Sequence, residues 1–184
     1  MHKMVVSVLG PDRPGIIAAV AKCLLEVDGN IENVTQAILQ SEFSGTFIVV
    51  VPESVTLSIL GQKMNLAVEG LDMKVFVKKL TSQETESTVK YSEPFVITTR
   101  GPDRKGLVAA VTAVIAGFGA NVANLQAVFK GGDDPNQNMM IYEVDLPKGI
   151  DMERFTTALR EKAKVLDLKI SIQHRDIFKA INRV

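Results

Sequence analysis

Two short turns carry residues that could bind a small acid or a free amino acid. The first is residues 10–15, Gly-Pro-Asp-Arg-Pro-Gly, and the second is residues 101–106, Gly-Pro-Asp-Arg-Lys-Gly. Each turn precedes an apolar run that predicts a helix, and the first turn of a helix exposes backbone N–H groups at the positive end of its dipole. A carboxylate or phosphate can bind there, and Gly15 and Gly106 lack the Cβ that would obstruct its approach.

An Asn-x-x-Asn pattern follows each predicted helix, as Asn30 and Asn33 and again as Asn121 and Asn124. An amide side chain offers a donor and an acceptor together. We expect these amides to lie beside the turns, where they and the helix terminus would hold the ammonium and carboxylate groups of an amino acid. The alternative to a ligand site is a purely structural role for these residues. Backbone geometry alone can require glycine in such a turn, and helix capping alone can explain the aspartate.

The two turns belong to an internal duplication. Residues 10–34 and 101–125 are identical at ten of twenty-five aligned positions, and such self-similarity indicates a repeated structural unit. The 184 residues therefore divide into two domains of about 80–90 residues each. Because a domain of that size buries only about 60–65% of its unfolded surface, we expect a shared interface, a homodimer, or both.

The spacing of apolar residues predicts the order β-α-β-β-α-β in each half of the chain. That order is the ferredoxin-like arrangement, in which one four-stranded antiparallel sheet carries two helices on one face. The predicted fold class is therefore α+β, with two tandem domains at residues 1–80 and 94–174. A polar linker is predicted at 81–93, and the C-terminal tail at 175–184 could form an amphipathic helix.

Several local features are also predicted. Pro14 is expected in the first turn of its helix, where its missing N–H costs nothing, and Pro52 is expected to open the next helix. Residues 41–45 are predicted to be a polar hairpin turn, and residues 131–137 a longer, flexible one. The helix predicted at 105–118 is apolar on almost every face, so its outer face is expected to contact the other domain or a second chain.

Composition argues against several classes of protein. Basic and acidic residues both number 21, whereas a protein that binds nucleic acid directly usually carries a basic surplus. No segment has the roughly 18 apolar residues that span a membrane. The single cysteine, Cys23, cannot form an internal disulfide, which fits a reducing compartment, so a cytoplasmic location is expected. The chain has two histidines, His2 and His174, and no spacing of metal ligands, so no metal site is predicted. It also has no nucleophile motif and no nucleotide-binding glycine motif, so neither catalysis nor a nucleotide cofactor is predicted.

The turn motif, the Asn-x-x-Asn pattern and the order of elements together resemble ACT domains. A tandem pair with little else in the chain is similar to the glycine cleavage system transcriptional repressor family, and the similarity spans residues 4–80 and 94–174. Related turns occur in the regulatory ends of formyltetrahydrofolate deformylases and of some phosphoserine phosphatases. The resemblance implies a regulatory module that binds an amino acid near the loop between its first strand and first helix.

The resemblance also implies a set of ligand contacts in each unit. These are Asp12, Arg13, Gly15, Ile16, Asn30 and Asn33 in the first unit, and Asp103, Arg104, Gly106, Leu107, Asn121 and Asn124 in the second. The second turn has Lys105 where the first has Pro14, which predicts a less rigid second turn and could leave one of the two sites unused.

Three functions remain open from the sequence, because a fold does not fix a function. The first is a non-catalytic regulator that responds to glycine or a similar amino acid and, as the resemblance implies, controls glycine cleavage genes through a DNA-binding activator protein. The second is a regulatory or accessory subunit of an amino-acid or one-carbon metabolic enzyme. The third is an interaction scaffold that binds no small ligand.

Overall fold

The computed structural model describes residues 1–80, 92–128 and 138–177. The chain divides into two compact units, Met1–Ser87 and Thr88–Val184. The elements of the first unit are β1 (His2–Pro11), α1 (Ile16–Glu26), β2 (Asn30–Leu39), β3 (Glu42–Val51), α2 (Leu57–Val68), a short 3-10 helix (Glu69–Leu71) and β4 (Lys74–Lys79). Those of the second unit are β5 (Ser92–Gly101), α3 (Leu107–Gly117), β6 (Asn121–Val128), β7 (Asn138–Pro147), α4 (Met152–Val165) and β8 (Lys169–His174).

Each unit contains one antiparallel sheet of four strands. The strand order is β2-β3-β1-β4 in the first unit and β6-β7-β5-β8 in the second, so the two units have the same topology. The first helix of each unit packs on the side of its second strand, and the second helix packs on the side of its fourth strand. This arrangement confirms the predicted α+β, ferredoxin-like fold.

The core of the first unit lies between its sheet and its two helices. Side chains alternate along a strand, and on β1 the inward set is Met4, Val6 and Val8. Phe47 and Val49 of β3 are buried opposite this set. The helices contribute apolar residues at helical spacing, which are Ile16, Val20, Leu24, Leu60, Met64 and Val68. Burial of one such side chain contributes about 1.5–3 kcal/mol, so these apolar faces determine where the helices lie.

The core of the second unit has the same layout but contains two buried hydroxyl groups. Tyr142 and Thr99 occupy the positions that Phe47 and Val8 occupy in the first unit. Burial raises the pKa of the Tyr142 phenol, and the nearby Thr99 hydroxyl opposes that rise. Within the described residues the Tyr142 hydroxyl has no hydrogen-bond partner of normal geometry, so its burial carries a cost that Phe47 of the first unit avoids.

Two local predictions in the first unit are wrong. The hairpin between β2 and β3 turns at Gln40 and Ser41, and Phe43 lies in β3 with its side chain buried in the core. The burial of this aromatic ring extends the strand through sequence that reads as polar. The second helix begins at Leu57, after the capping residue Thr56, so Pro52 precedes it rather than opening it.

Some predictions fall outside the described residues. The strand β5 begins at Ser92, so residues 92 and 93 belong to that strand and not to the predicted linker. The rest of the linker at 81–91, the loop at 131–137 and the tail at 178–184 lie outside the described residues, whereas 175–177 form a helical turn. None of the helices in the described ranges is both long enough and apolar enough to span a lipid bilayer.

Candidate ligand-binding site

The two motif turns each contain one glycine that packing requires. A Cβ atom added to Gly10 would lie 2.7 Å from the carbonyl oxygen of Asp72, and one added to Gly101 would lie 2.8 Å from that of Asp167. Both distances are below van der Waals contact, because the end of the central strand passes close to the residues just before the last strand. Gly10 and Gly101 are therefore explained by structure alone.

The second glycine of each turn has a different environment. Gly15 and Gly106 are the N-cap residues of α1 and α3, with φ angles of 99° and 88° in the left-handed region that favours glycine. A Cβ atom added to either would have no heavy atom within 4 Å beyond those of the residue itself and its chain neighbours. The backbone at the start of both helices therefore faces open space, as the site hypothesis requires.

These two helix starts also lack a side-chain cap. At α2 the Thr56 hydroxyl accepts a hydrogen bond from the Ile59 amide at 3.2 Å, and at α4 the Asp151 carboxylate accepts one from the Arg154 amide at 3.0 Å. In the described residues no side chain caps α1 or α3 in this way. The first-turn amides of α1 and α3 can consequently donate to an external anion.

The capping role predicted for the aspartates is therefore wrong. The Asp12 amide donates to the carbonyl of Ser41 at 2.7 Å, which ties the first turn to the β2–β3 hairpin. In the second turn the Asp103 carboxylate accepts a hydrogen bond from the Asn138 amide group at 3.0 Å. Pro14 also differs from its prediction, because α1 begins at Ile16 and Pro14 precedes the N-cap.

Arginine differs between the two turns. The guanidinium of Arg104 donates to the carbonyl of Leu166, the residue that caps the C-terminal end of α4. Arg13 is exposed, and its guanidinium has no hydrogen bond or ion pair with the residues that the structure describes. Ile16 and Leu107, the first residues of α1 and α3, have buried side chains, so they can offer a ligand only their backbone.

The asparagine pairs do not lie beside the turns of their own units, which corrects the expectation from sequence. Asn30 is paired with Val50, and Val50 is paired with Lys3, seven residues along β1 from Gly10. At about 3.3 Å per residue the separation is roughly 23 Å. The reason is topological: α1 runs back along the sheet, so β2 begins at the end opposite the turn.

The second unit repeats this separation. Asn121 is paired with Asp145, which is paired with Pro94, again seven residues from Gly101. A single free amino acid is too small to contact both the turn and the asparagine pair of one unit. The twelve candidate residues therefore form two separate groups in each unit.

The second asparagine of each pair follows a β-bulge, but the two asparagines have different neighbours. A bulge precedes the second asparagine in both units, between Ile31 and Asn33 and between Val122 and Asn124. The Asn124 amide donates to the carboxylate of Glu143 at 2.9 Å, whereas Asn33 is paired with an apolar residue, Ile48. Bulges re-aim side chains, so this feature is retained as part of the site hypothesis.

Other groups in the described ranges offer no competing site. They contain no group of three His, Cys, Asp or Glu side chains that could hold a metal ion. Burial raises the pKa of the Cys23 thiol, with Glu26 adding to the rise and Lys63 opposing it, which disfavours the reactive thiolate. A groove of about 350 Å³ lies on α4 and contains none of the candidate residues; its lining is Phe118, Glu153, Arg154, Thr157, Ala158 and Glu161.

Two residues that contact the second turn were not predicted by the sequence analysis. Asn138 and Leu166 are 35 and 62 residues away from their partners Asp103 and Arg104. One comparison between the repeats could have pointed to Asn138: the strand pairing places Asn138 opposite Gly101, at the position where the first unit has Phe43 opposite Gly10. That correspondence appears only once the strands are paired.

A family model supplies the comparison that decides the family. The model for the ACT domain matches residues 2–78 and 93–173, which is most of the chain. The chain belongs to the ACT domain family. ACT domains are regulatory modules that typically bind amino-acid effectors, so the open helix starts lie in a fold associated with that role.

Curated relatives of this ACT-domain protein match about half of it. A UPF0237 protein from Methanosarcina acetivorans is 31% identical over 94 residues, which are 50% of this chain and 98% of the relative. A UPF0237 protein from Methanopyrus kandleri is 35% identical over 79 residues, which are 42% of this chain and 88% of the relative. Each relative is therefore comparable in length to one unit.

Solved structures match both units together. An unknown protein from Galdieria sulphuraria has a TM-score of 0.75 at 23% identity, over 94% of this chain and 98% of that one. A protein provisionally described as a glycine cleavage system transcriptional repressor has a TM-score of 0.71 at 18% identity, over 94% and 96% of the two chains. At these identities the likeness shows the fold.

Proposed function

We propose that this ACT-domain protein is a non-catalytic, amino-acid-responsive regulator that acts in the cytoplasm. Glycine or a similar small amino acid is the proposed effector, and control of glycine cleavage genes through a DNA-binding activator protein is the proposed output. The observation that carries the proposal is the pair of uncapped helix starts, at which Gly15 and Gly106 face open space. The tandem fold shared with a provisionally described glycine cleavage repressor supports the choice of output.

The proposed chemistry is recognition and not bond making. The carboxylate of the ligand accepts hydrogen bonds from first-turn amides at the positive end of the helix dipole. Asp12 and Arg13 of the first turn are exposed and add charges of both signs, which suit a zwitterion. The asparagine pairs remain proposed ligand contacts at the far end of each sheet.

The amino-acid response is tested by thermal melting with each of the twenty amino acids. Glycine or another small amino acid is expected to raise the melting temperature, because a ligand at 100 times its Kd stabilises the folded state by about 2.7 kcal/mol. In the variant Gly15→Asn the response at the first site should fall, since asparagine tolerates the left-handed conformation but places a side chain over the helix start. Valine is unsuitable there, because a β-branched residue at a φ of 99° would strain the fold itself.

The matched control for this experiment is Gly70→Asn. Gly70 is exposed, lies in the 3-10 helix of the same unit and also has open space around its Cβ position. The Gly70→Asn variant should show the same rise in melting temperature with amino acid as the wild type. A scan in which no amino acid shifts the melting temperature would argue against a ligand site, and equal responses from all three proteins would remove the first turn from the hypothesis.

A homodimer is the proposed assembly, and the edge strands support it. The edges β4 and β8 carry lysine, which protects an exposed edge from pairing with another strand. The edge β6 contains no charged residue, and β2 contains one, Glu32, which forms an ion pair with Lys3 at 2.6 Å. The outer face of α3 also lacks charge, and Ala109, Ala113, Ala116 and Gly117 are exposed on it.

The variant Ala113→Lys is expected to shift the protein from dimer toward monomer, because it places a charge on the uncharged outer face of α3. Sedimentation velocity over a range of concentrations measures the change. Ala67→Lys, an exposed alanine of α2, is the matched control and should leave the dimer intact. A wild-type protein that sediments as a monomer at all concentrations would contradict the proposed assembly.

Capture of partners by the purified protein separates the proposed output from the alternative of an enzyme subunit. Recovery of a DNA-binding activator supports transcriptional regulation. Recovery of an amino-acid or one-carbon metabolic enzyme instead would replace that output with the accessory-subunit function. Binding of neither, together with no response to amino acids, would leave the scaffold hypothesis.

A further inference from the structure

The two duplicated turns are held in place differently. We propose that the first turn, with Arg13 as its cation, is the one that responds to an amino acid, and that the second turn is a tethered structural copy. This inference rests on the proposed function, since it assigns the response to one of the two proposed sites. Its evidence is the set of side-chain contacts that one turn makes and the other does not.

The first turn leaves its charged side chains available. Asp12 and Arg13 are exposed, and Asp12 is bound to the β2–β3 hairpin through its backbone amide and not through its carboxylate. Within the described residues the Arg13 guanidinium has no partner. A guanidinium is always charged and offers donors in a rigid fork that fits a carboxylate with two parallel hydrogen bonds.

The second turn uses the same two residue types for internal contacts. The Asp103 carboxylate accepts from the amide group of Asn138, which is 8% exposed, and the Arg104 guanidinium donates to the carbonyl of Leu166. That carbonyl lies at the C-terminal end of α4, where the helix dipole favours a cation. Moving Arg104 onto a ligand carboxylate would therefore break a contact that already stabilises the unit.

A substitution between the repeats accounts for the difference between the two aspartates. Gly101 is paired with Asn138, and Gly10 is paired with Phe43 at the equivalent position. Phe43 is buried and has no hydrogen-bonding group, so it cannot hold Asp12 as Asn138 holds Asp103. The prediction that Lys105 makes the second turn less rigid is therefore opposed by two side-chain tethers.

Lys105 is the remaining cation of the second turn. It is exposed, and it has no partner among the residues that the structure describes. An ammonium on a flexible stem acts as a point charge and does not offer the planar fork of Arg13. It is included in the test because it is the strongest internal competitor.

The test compares thermal melting of wild-type protein, Arg13→Gln, Arg104→Gln and Lys105→Gln, each without ligand and with glycine. Without glycine, Arg104→Gln should lower the melting temperature of its unit by about 4–8 °C, because it loses a tether, whereas Arg13→Gln and Lys105→Gln should change it little. With glycine, Arg104→Gln and Lys105→Gln should keep the wild-type rise. Arg13→Gln should lose most of it, and Arg13→Lys should recover part.

Two sets of outcomes would overturn the inference, and they are distinguishable from failure of the proposed function. Loss of the glycine response in Arg104→Gln or Lys105→Gln, with retention in Arg13→Gln, would place the response at the second turn. Equal effects of Arg13→Gln and Arg104→Gln on the ligand-free melting temperature would show that the two turns are tethered alike.

The response of the wild type decides the probe. If the wild type responds to another amino acid, that amino acid replaces glycine in all four proteins. A wild type that responds to none of the twenty rejects the proposed function and this inference with it. Should Arg104→Gln fail to fold, Arg104→Lys and Asn138→Ser test the same tethers.

Discussion

Gly10→Ala is expected to destabilise the first unit by about 3 kcal/mol, at the upper end of the usual cost of overpacking. The added Cβ would lie 2.7 Å from the Asp72 carbonyl oxygen and 2.9 Å from the sulfur of Met73. The sulfur can move, but the carbonyl belongs to backbone that leads into β4, so relief requires a shift of the strand. Chemical denaturation followed by circular dichroism measures the change in the free energy of unfolding.

Gly70→Ala is the matched control for this substitution. Gly70 has no heavy atom within 4 Å of its Cβ position and no positive φ angle, so alanine should be neutral or stabilising by up to about 1 kcal/mol. A Gly10→Ala protein as stable as Gly70→Ala would contradict the close approach of β1 to Asp72. Gly101→Ala should reproduce the large effect in the second unit, where the distance to the Asp167 carbonyl oxygen is 2.8 Å.

Phe155→Ala is expected to destabilise the second unit by about 3–5 kcal/mol. Phe155 of α4 is completely buried, and its ring meets the ring of Phe118 edge to face with centroids 5.3 Å apart. Removing the ring leaves a cavity between the helices and the sheet, and it also removes the aromatic contact, which contributes about 0.5–1.5 kcal/mol beyond burial. Differential scanning calorimetry should show a lower melting transition for this unit.

Phe76→Ala serves as the control for an aromatic residue at the surface. Phe76 lies on the edge strand β4 and is 69% exposed, so its replacement should change the free energy of unfolding by less than about 0.5 kcal/mol. If Phe76→Ala were as destabilising as Phe155→Ala, another chain would have to cover the outer face of β4. That result would revise the proposed assembly, which uses the opposite edge of the sheet.

The fold could be predicted from the sequence because its determinants are local and periodic. Ile16, Val20 and Leu24 recur at helical spacing in the sequence, and all three are buried in the structure. Repetition of the same order of elements in both halves left few alternatives to a tandem α+β arrangement. The errors lie at element ends, as at Phe43, where burial in the core extended a strand into sequence that reads as polar.

The candidate site could be predicted only in part. Glycine at residues 10, 15, 101 and 106 reads alike in the sequence, yet packing explains Gly10 and Gly101 whereas backbone conformation explains Gly15 and Gly106. The expected proximity of the asparagines to the turns was wrong, because nearness in the chain does not reveal which end of a sheet a strand starts from. Strand register is a long-range property, set by pairs such as Asn30 with Val50.

The sequence by itself determined that this protein is a duplication of one small α+β unit, because apolar spacing and turn residues act over a few neighbouring positions. Only the tertiary structure decided which turn keeps its aspartate and arginine side chains available. Asp103 and Arg104 find partners 35 and 62 residues away, and such contacts depend on how strands and helices pack. Two nearly identical hexapeptides therefore have different surroundings, since the side chains that fold against them differ.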